Sequence, residues 1–111
     1  MENKIYTNAL LDFYGTLLTE KQRRICDYYF NEDYSLQEIA EIEQISRSAV
    51  HDVVRRARNE MEAYEEKMSL YKNYRKRMKL YQKIKAFGIK EINDLTDQCI
   101  DTETNEGENY E

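Results

Sequence analysis

The 111-residue chain has no proline and three glycines, at positions 15, 88 and 107. Little therefore interrupts helix formation, and an all-α class is the natural expectation. No window approaches 18 consecutive apolar residues, which excludes a membrane-spanning helix. The opening stretch "MENKIYTNALLDFYGTLL" lacks a basic region ahead of an apolar run and a small-residue cleavage site, so no signal peptide is expected. Cysteine is scarce: Cys26 and Cys99 stand far apart with no CxxC partner and read as reduced thiols. A cytoplasmic protein is expected. His51 is the only histidine, too little for a metal site or a catalytic pair. A Gly-rich phosphate loop, an HExxH motif and a usable Ser/His/Asp trio are all missing. The sequence thus predicts no enzyme, no cofactor, no metal and no small-molecule substrate.

What is abundant is charge, at 35% of residues, with Glu, Lys, Leu, Arg and Met prominent, close to a helical-bundle composition. The net charge of −5 conceals a segregation. Residues 1–45 carry 4 Lys/Arg against 9 Asp/Glu, residues 46–90 carry 13 against 5, and residues 91–111 carry none against 8. An acidic total does not exclude an anionic partner, because fields act over about a Debye length. The acidic end can also compete for the basic middle.

The apolar spacing lays out the helices. Leu10, Phe13, Tyr14 and Leu17 form one face of a first helix. Thr19 with Gln22 is a capping-box pattern that opens a second, with Ile25, Tyr28 or Tyr29, and Cys26 as its inner face. "NEDY" ends it. Ser35 with Glu38 is another capping box, followed by a short helix through Leu36, Ile39 and Ala40. "EIEQI" reads as a turn, and Ser46 as the N-cap of the next helix. From there Val50, Val54, Ala57, Met61, Tyr64, Met68 and Tyr71 recur in heptad steps. The row then jumps to Tyr74, Met78 and Tyr81, a stammer that implies overwinding, a kink or a new helix. A helix continuous to Ala86 would run roughly 60 Å. That exceeds what one small core covers, so part of the seam is expected to meet another chain or to fold back on itself, with a homodimer or a protein contact through Met61, Tyr64, Met68 and Tyr71. Gly88 reads as a C-cap, and Ile89, Ile92 and Leu95 or Thr96 as the face of a short last helix. The expected division is residues 1–68 as a helix-turn-helix domain, 69–100 as a helical extension and 101–111 as a disordered acidic tail.

Residues 35–60, "SLQEIAEIEQISRSAVHDVVRRARNE", carry the pattern of a helix-turn-helix. Ala40 provides the small contact between its helices. Leu36, Ile39, Ile45, Val50 and Val53 or Val54 lock them, and Arg47, Ser48, His51, Asp52 and Arg55 are left outward. Arg47 lies at the helix start, where side chains reach base edges or phosphates, and Arg55, Arg56 and Arg58 can hold flanking phosphates. Arg47, Ser48, His51, Arg55, Arg56 and Arg58 are therefore the candidate nucleic-acid contacts. The bland alternative is a solvated charged face with an Arg56–Glu60 pair. A second candidate, for RNA or a protein partner, is the run "YKNYRKRMKLYQKIK". There Lys72, Arg75, Lys76, Arg77 and Lys79 interleave with Tyr71, Tyr74 and Tyr81. Heptad-like spacing favours tyrosines packed inward instead.

Residues 10–71, with the pattern "DFY…LLT.KQ…YY..DYSL.EIA…SR.AV", resemble the YlxM family of bacterial helix-turn-helix proteins, which are similar to the fourth region of sigma factors. The resemblance implies a sigma-like DNA-binding fold with a long C-terminal helix. It also implies a regulatory role in the signal recognition particle pathway, with that particle's RNA or protein as a partner. The chain departs from the family pattern at Glu43 and Gln44, where an aromatic and then Gly or Asn are usual. Ser48, His51 and Val53 stand where Gln, Tyr and Asn are usual, while Arg47 and Asp52 match.

Overall fold

The computed structural model describes residues 3–103, and its helices fall into two compact units, Met1–Tyr71 and Lys72–Glu111. The fold is all-α, with no strand among the described residues. In the first unit α1 (Lys4–Tyr14) starts at Asn3, whose side chain accepts from the Tyr6 N–H. A 3-10 turn (Gly15–Leu17) follows it. Both expected capping boxes form. Thr19 and Gln22 open α2 (Glu20–Cys26), and Ser35 and Glu38 open α3 (Leu36–Glu43). Ser46 caps α4 (Arg47–Met68) by accepting from the Ala49 N–H at 3.0 Å.

The core lies wholly in this unit. Leu10, Leu11 and Tyr14 of α1, Ile25 and Cys26 of α2, Ile39 and Ala40 of α3, and Val50, Val54, Ala57 and Met61 of α4 are buried together. Each such aliphatic side chain removed from water stabilises the fold by roughly 1.5–3 kcal/mol. Two irregular turns shift the phase of the periodicity. The 3-10 turn carries Leu18 into the core and leaves Leu17 exposed. A turn of π-helix (Asp27–Asn31) brings in Phe30, while Tyr28 and Tyr29 are only half-buried. In both places one residue per turn more or fewer rotates the inward row by a position.

The expected long helix is broken. Ser69 takes a left-handed conformation (φ 55) and ends α4, and α5 (Leu70–Lys85) starts at the next residue. The break falls just before the stammer. Its orphan N–H groups are satisfied from α1 and α4: Leu70 donates to the Tyr14 hydroxyl and Tyr71 to the Glu65 carboxylate, each at 3.1 Å. The Tyr14 hydroxyl in turn donates to Glu65 at 2.6 Å. Burial, then this bond to a carboxylate, pushes the Tyr14 phenol up to about 12.

The heptad seam is spent within the chain. Met61 is fully buried, the Tyr64 ring lies 5.9 Å from that of Tyr14, and Tyr71 packs on Tyr6 and Phe13. Of that seam only Met68 is exposed. Of the two outcomes expected for the seam, the fold-back is the one seen: α1 packs over Met61 and Tyr64 of α4 and over Tyr71.

In the second unit, the rest of α5 meets α6 (Lys90–Asp101) across a turn at Gly88, which adopts φ 73 as a glycine C-cap should. The two helices are clipped by Lys85–Asp97 at 2.6 Å and by Arg77 and the Tyr81 hydroxyl on Glu103. Of residues 72–103 only Thr96 is buried, so Thr96 rather than Leu95 is the inward residue. In the stretch expected to be a disordered tail, Asp101 closes α6 and the Glu103 carboxylate is held in place. Residues 104–111 of that stretch lie outside the described residues.

Candidate nucleic-acid interface

Helices α3 and α4 form the expected helix-turn-helix. α3 runs three residues into the stretch read as turn, so the turn proper is Gln44–Ile45–Ser46. Gln44 sits in the left-handed region (φ 59), and the Ile45 N–H returns to the Ala40 carbonyl at 3.1 Å. This is a C-terminal αL arrangement that glycine or asparagine adopts most readily. Glutamine holds that geometry here. Ile39, Ala40, Val50 and Val54 are buried between the helices, with Leu36, Ile45 and Val53 packed at the edge.

One clamp was not foreseen from sequence. Arg24 of α2 donates two bonds of 2.8 Å to Glu43, whose carboxylate is 11% exposed. The guanidinium holds this carboxyl below the usual range. The bidentate geometry fixes α2 against the end of α3, and with it the angle at which α4 leaves the turn. No local pattern pairs residues 19 positions apart.

On α4, Arg47, His51, Arg55 and Arg58 recur at steps of four, four and three and share one stripe; Ser48, Asp52 and Arg56 occupy the adjacent row. Arg47, Ser48, His51, Arg55 and Arg56 are exposed, and Arg58 is half-buried. The Ser48 hydroxyl lies 3.2 Å from that of Ser46. Asp52 is engaged twice: Arg55 binds one carboxylate oxygen, and Arg56 reaches the other at 3.1 Å. The intrahelical partner of Arg56 is thus Asp52, where the alternative of a solvated charged face offers Glu60. The Arg55 hydrogen bond and the flanking charges hold the Asp52 carboxyl below its usual range. It therefore stays ionised at neutral pH and orients two guanidiniums along the helix.

The second candidate set is split by the structure. Lys72, Arg75, Lys76 and Lys79 are exposed on α5. Arg77 is committed instead to Glu103, at 2.6 and 2.9 Å. Its guanidinium and the Tyr81 hydroxyl hold the Glu103 carboxyl below its usual range. Of the interleaved tyrosines, Tyr71 packs in the first unit, and the Tyr81 hydroxyl donates to Glu103 at 2.6 Å.

An α3–turn–α4 unit with a locked angle, an N-capped second helix and an outward arginine stripe defines a helix-turn-helix protein. The chain belongs to the family described as "Putative helix-turn-helix protein, YlxM / p13 like", whose model matches residues 1–101. It is similar to the UPF0122 protein of Clostridium perfringens strain SM101, with 44% identity over 86 residues, covering 78% of this chain and 77% of the relative. The Oceanobacillus iheyensis member is 50% identical over 78 residues, 70% of this chain and 74% of its own length. The Malacoplasma penetrans member is 42% identical over 97 residues, 86% and 84% of the two chains. No helix among the described residues is long and apolar enough to cross a membrane.

Proposed function

We propose that this protein is a non-enzymatic cytoplasmic regulator that binds duplex DNA through the N-terminal half of α4. The observation that carries the reading is the exposed stripe Arg47–His51–Arg55, presented at a helix start whose direction is fixed by the buried Ile39, Ala40, Val50 and Val54 and by one bidentate clamp. Arg47 meets the duplex first, with Ser48 and His51 at base edges and Arg55, Arg56 and Arg58 on flanking phosphates. Its place in the signal recognition particle pathway rests on the resemblance to the YlxM family alone.

Titration against labelled duplex at several salt concentrations tests the reading. Four phosphate contacts give a log–log slope of about −3 to −4. Replacing Arg47 and Arg55 together by Ala is expected to abolish binding. Binding that survives this double substitution, or no binding at low salt, overturns it. A second reading, as an adaptor on signal recognition particle RNA or protein, is supported by the cations of α5, which run from Lys72 to Lys85 with no acidic residue among them. Under it, Lys76→Ala with Lys79→Ala removes binding to a labelled RNA hairpin, and the Arg47 and Arg55 substitutions do not.

A further inference from the structure

The second unit has a problem that its own contacts do not solve. Its helices span 16 and 12 residues, and their only buried side chain is a threonine. Helices of this length are marginal in water unless an apolar face is packed. Apolar side chains are present but face outward. Leu80 (55% exposed), Ile84 and Phe87 (79%) follow one another at i, i+4 and i+7, and Ile92 and Leu95 (62%) form a row on α6. The inward residues are Tyr74, Met78 and Tyr81 on α5 and Asn93, Thr96 and Ile100 on α6. Each apolar row lies roughly a quarter to a third of a turn from its inward row, in the same rotational sense. The contacts Lys85–Asp97 near the turn and Arg77–Glu103 further off show that α6 runs back along α5. For antiparallel helices the same rotational sense places both rows on one face. The hairpin therefore carries a continuous exposed apolar face, beyond the scattered single residues normal on a monomer surface.

We infer that this face docks a second copy of the chain, hairpin on hairpin, as a four-helix arrangement. Charge selects that occupant. The α5 edge of the face is bordered by Lys76 and Lys83, and the α6 edge by Glu91 and by Asp94, which pairs with Lys90. Across a two-fold axis running along the helices, α5 of each copy lies over α6 of the other. Basic edges then meet acidic edges twice, and every crossing pair is antiparallel. The other two-fold, α5 on α5, sets like charges together and is disfavoured. A patch carrying both signs in this order is complementary to itself. The proposal uses none of the residues assigned to DNA and stands or falls apart from that reading.

Sedimentation equilibrium of the full chain at micromolar concentrations reads the outcome. A dimer mass is expected, weakened by added salt because the rim is charged. Leu80→Asn and Leu95→Asn should each raise the dissociation constant about tenfold or more, while Leu17→Asn, an exposed apolar residue of the first unit, leaves it unchanged. Phe87→Ser guards against simple loss of helix, because Phe87 lies in the turn outside both helices. It too should weaken the dimer. A monomer mass for the unaltered chain, or a dimer indifferent to Phe87→Ser and Leu95→Asn, overturns the proposal.

Discussion

Tyr14 and Tyr81 show how differently the two units are held. Tyr14 is wholly buried, and its hydroxyl bridges a carboxylate and the first N–H of the next helix. Tyr81 sits at the edge of a helix pair with no apolar core, and its hydroxyl helps to hold one carboxylate. The first unit is organised by burial, and polar groups finish the joints. In the second, polar clips do most of the organising, and its apolar side chains are left for something else to cover. The same contrast appears in the left-handed positions. The first unit places Asp33, Gln44 and Ser69 there, strain that surrounding packing can override, whereas the second uses Gly88.

Truncating one side chain in each unit separates the two kinds of organisation most strongly. Ile39→Ala removes a fully buried side chain of α3 from the core, and should cost about 2–5 kcal/mol in a urea titration. Leu80→Ala, at concentrations too low for self-association, should cost about 0.5 kcal/mol or less. Equal losses would mean that the second unit has a core of its own.

A smaller effect tests the polar joint. Tyr14→Phe leaves the ring but strips the hydroxyl from Glu65 and the Leu70 N–H, at a cost of about 1–3 kcal/mol. pH adds a signature. Tyr14 rises from an ordinary 10.0 to about 12, chiefly through burial. Burial likewise lifts the Cys26 thiol from 9.0 to about 12. Both groups are held protonated in the fold, so their contribution is complete below pH 9 and is lost as pH rises toward 12. Urea midpoints measured across that window should fall, and Tyr14→Phe should flatten the part above pH 10. An unchanged slope would separate the phenol from the fold's alkaline sensitivity.

The smallest expected effect concerns the strained positions. Gln44→Gly relieves a left-handed residue, and should raise stability by about 1 kcal/mol. A loss instead would show that the flexibility gained by the unfolded chain outweighs the relief.

Much of the first unit is legible in the sequence because its signals are local. Thr19 with Gln22, Ser35 with Glu38 and the cap at Ser46 each declare a helix start within four residues, and each forms. The heptad row from Val50 was equally legible as a buried face. Periodicity says that a face is covered, not what covers it, and α1 rather than a second chain lies over Met61 and Tyr64. The break at Ser69 was marked only by the stammer two residues later, because it depends on Tyr14, more than fifty positions away. At the candidate interface the outward arginines could be read from helical spacing. Asp52's double pairing and the Arg24–Glu43 clamp could not, since a choice among nearby carboxylates, or between distant helices, is settled by packing.

The placement of the two cysteines has a consequence for life under oxidants. Cys26 is wholly buried in the core, its thiol proton held tightly, whereas Cys99 is exposed on α6. To oxidants in solution the folded chain therefore behaves as though it had a single sulfhydryl. Disulfide formation among folded copies must stop at linked pairs: with one valency per molecule, oxidation has no means to string them into a polymer.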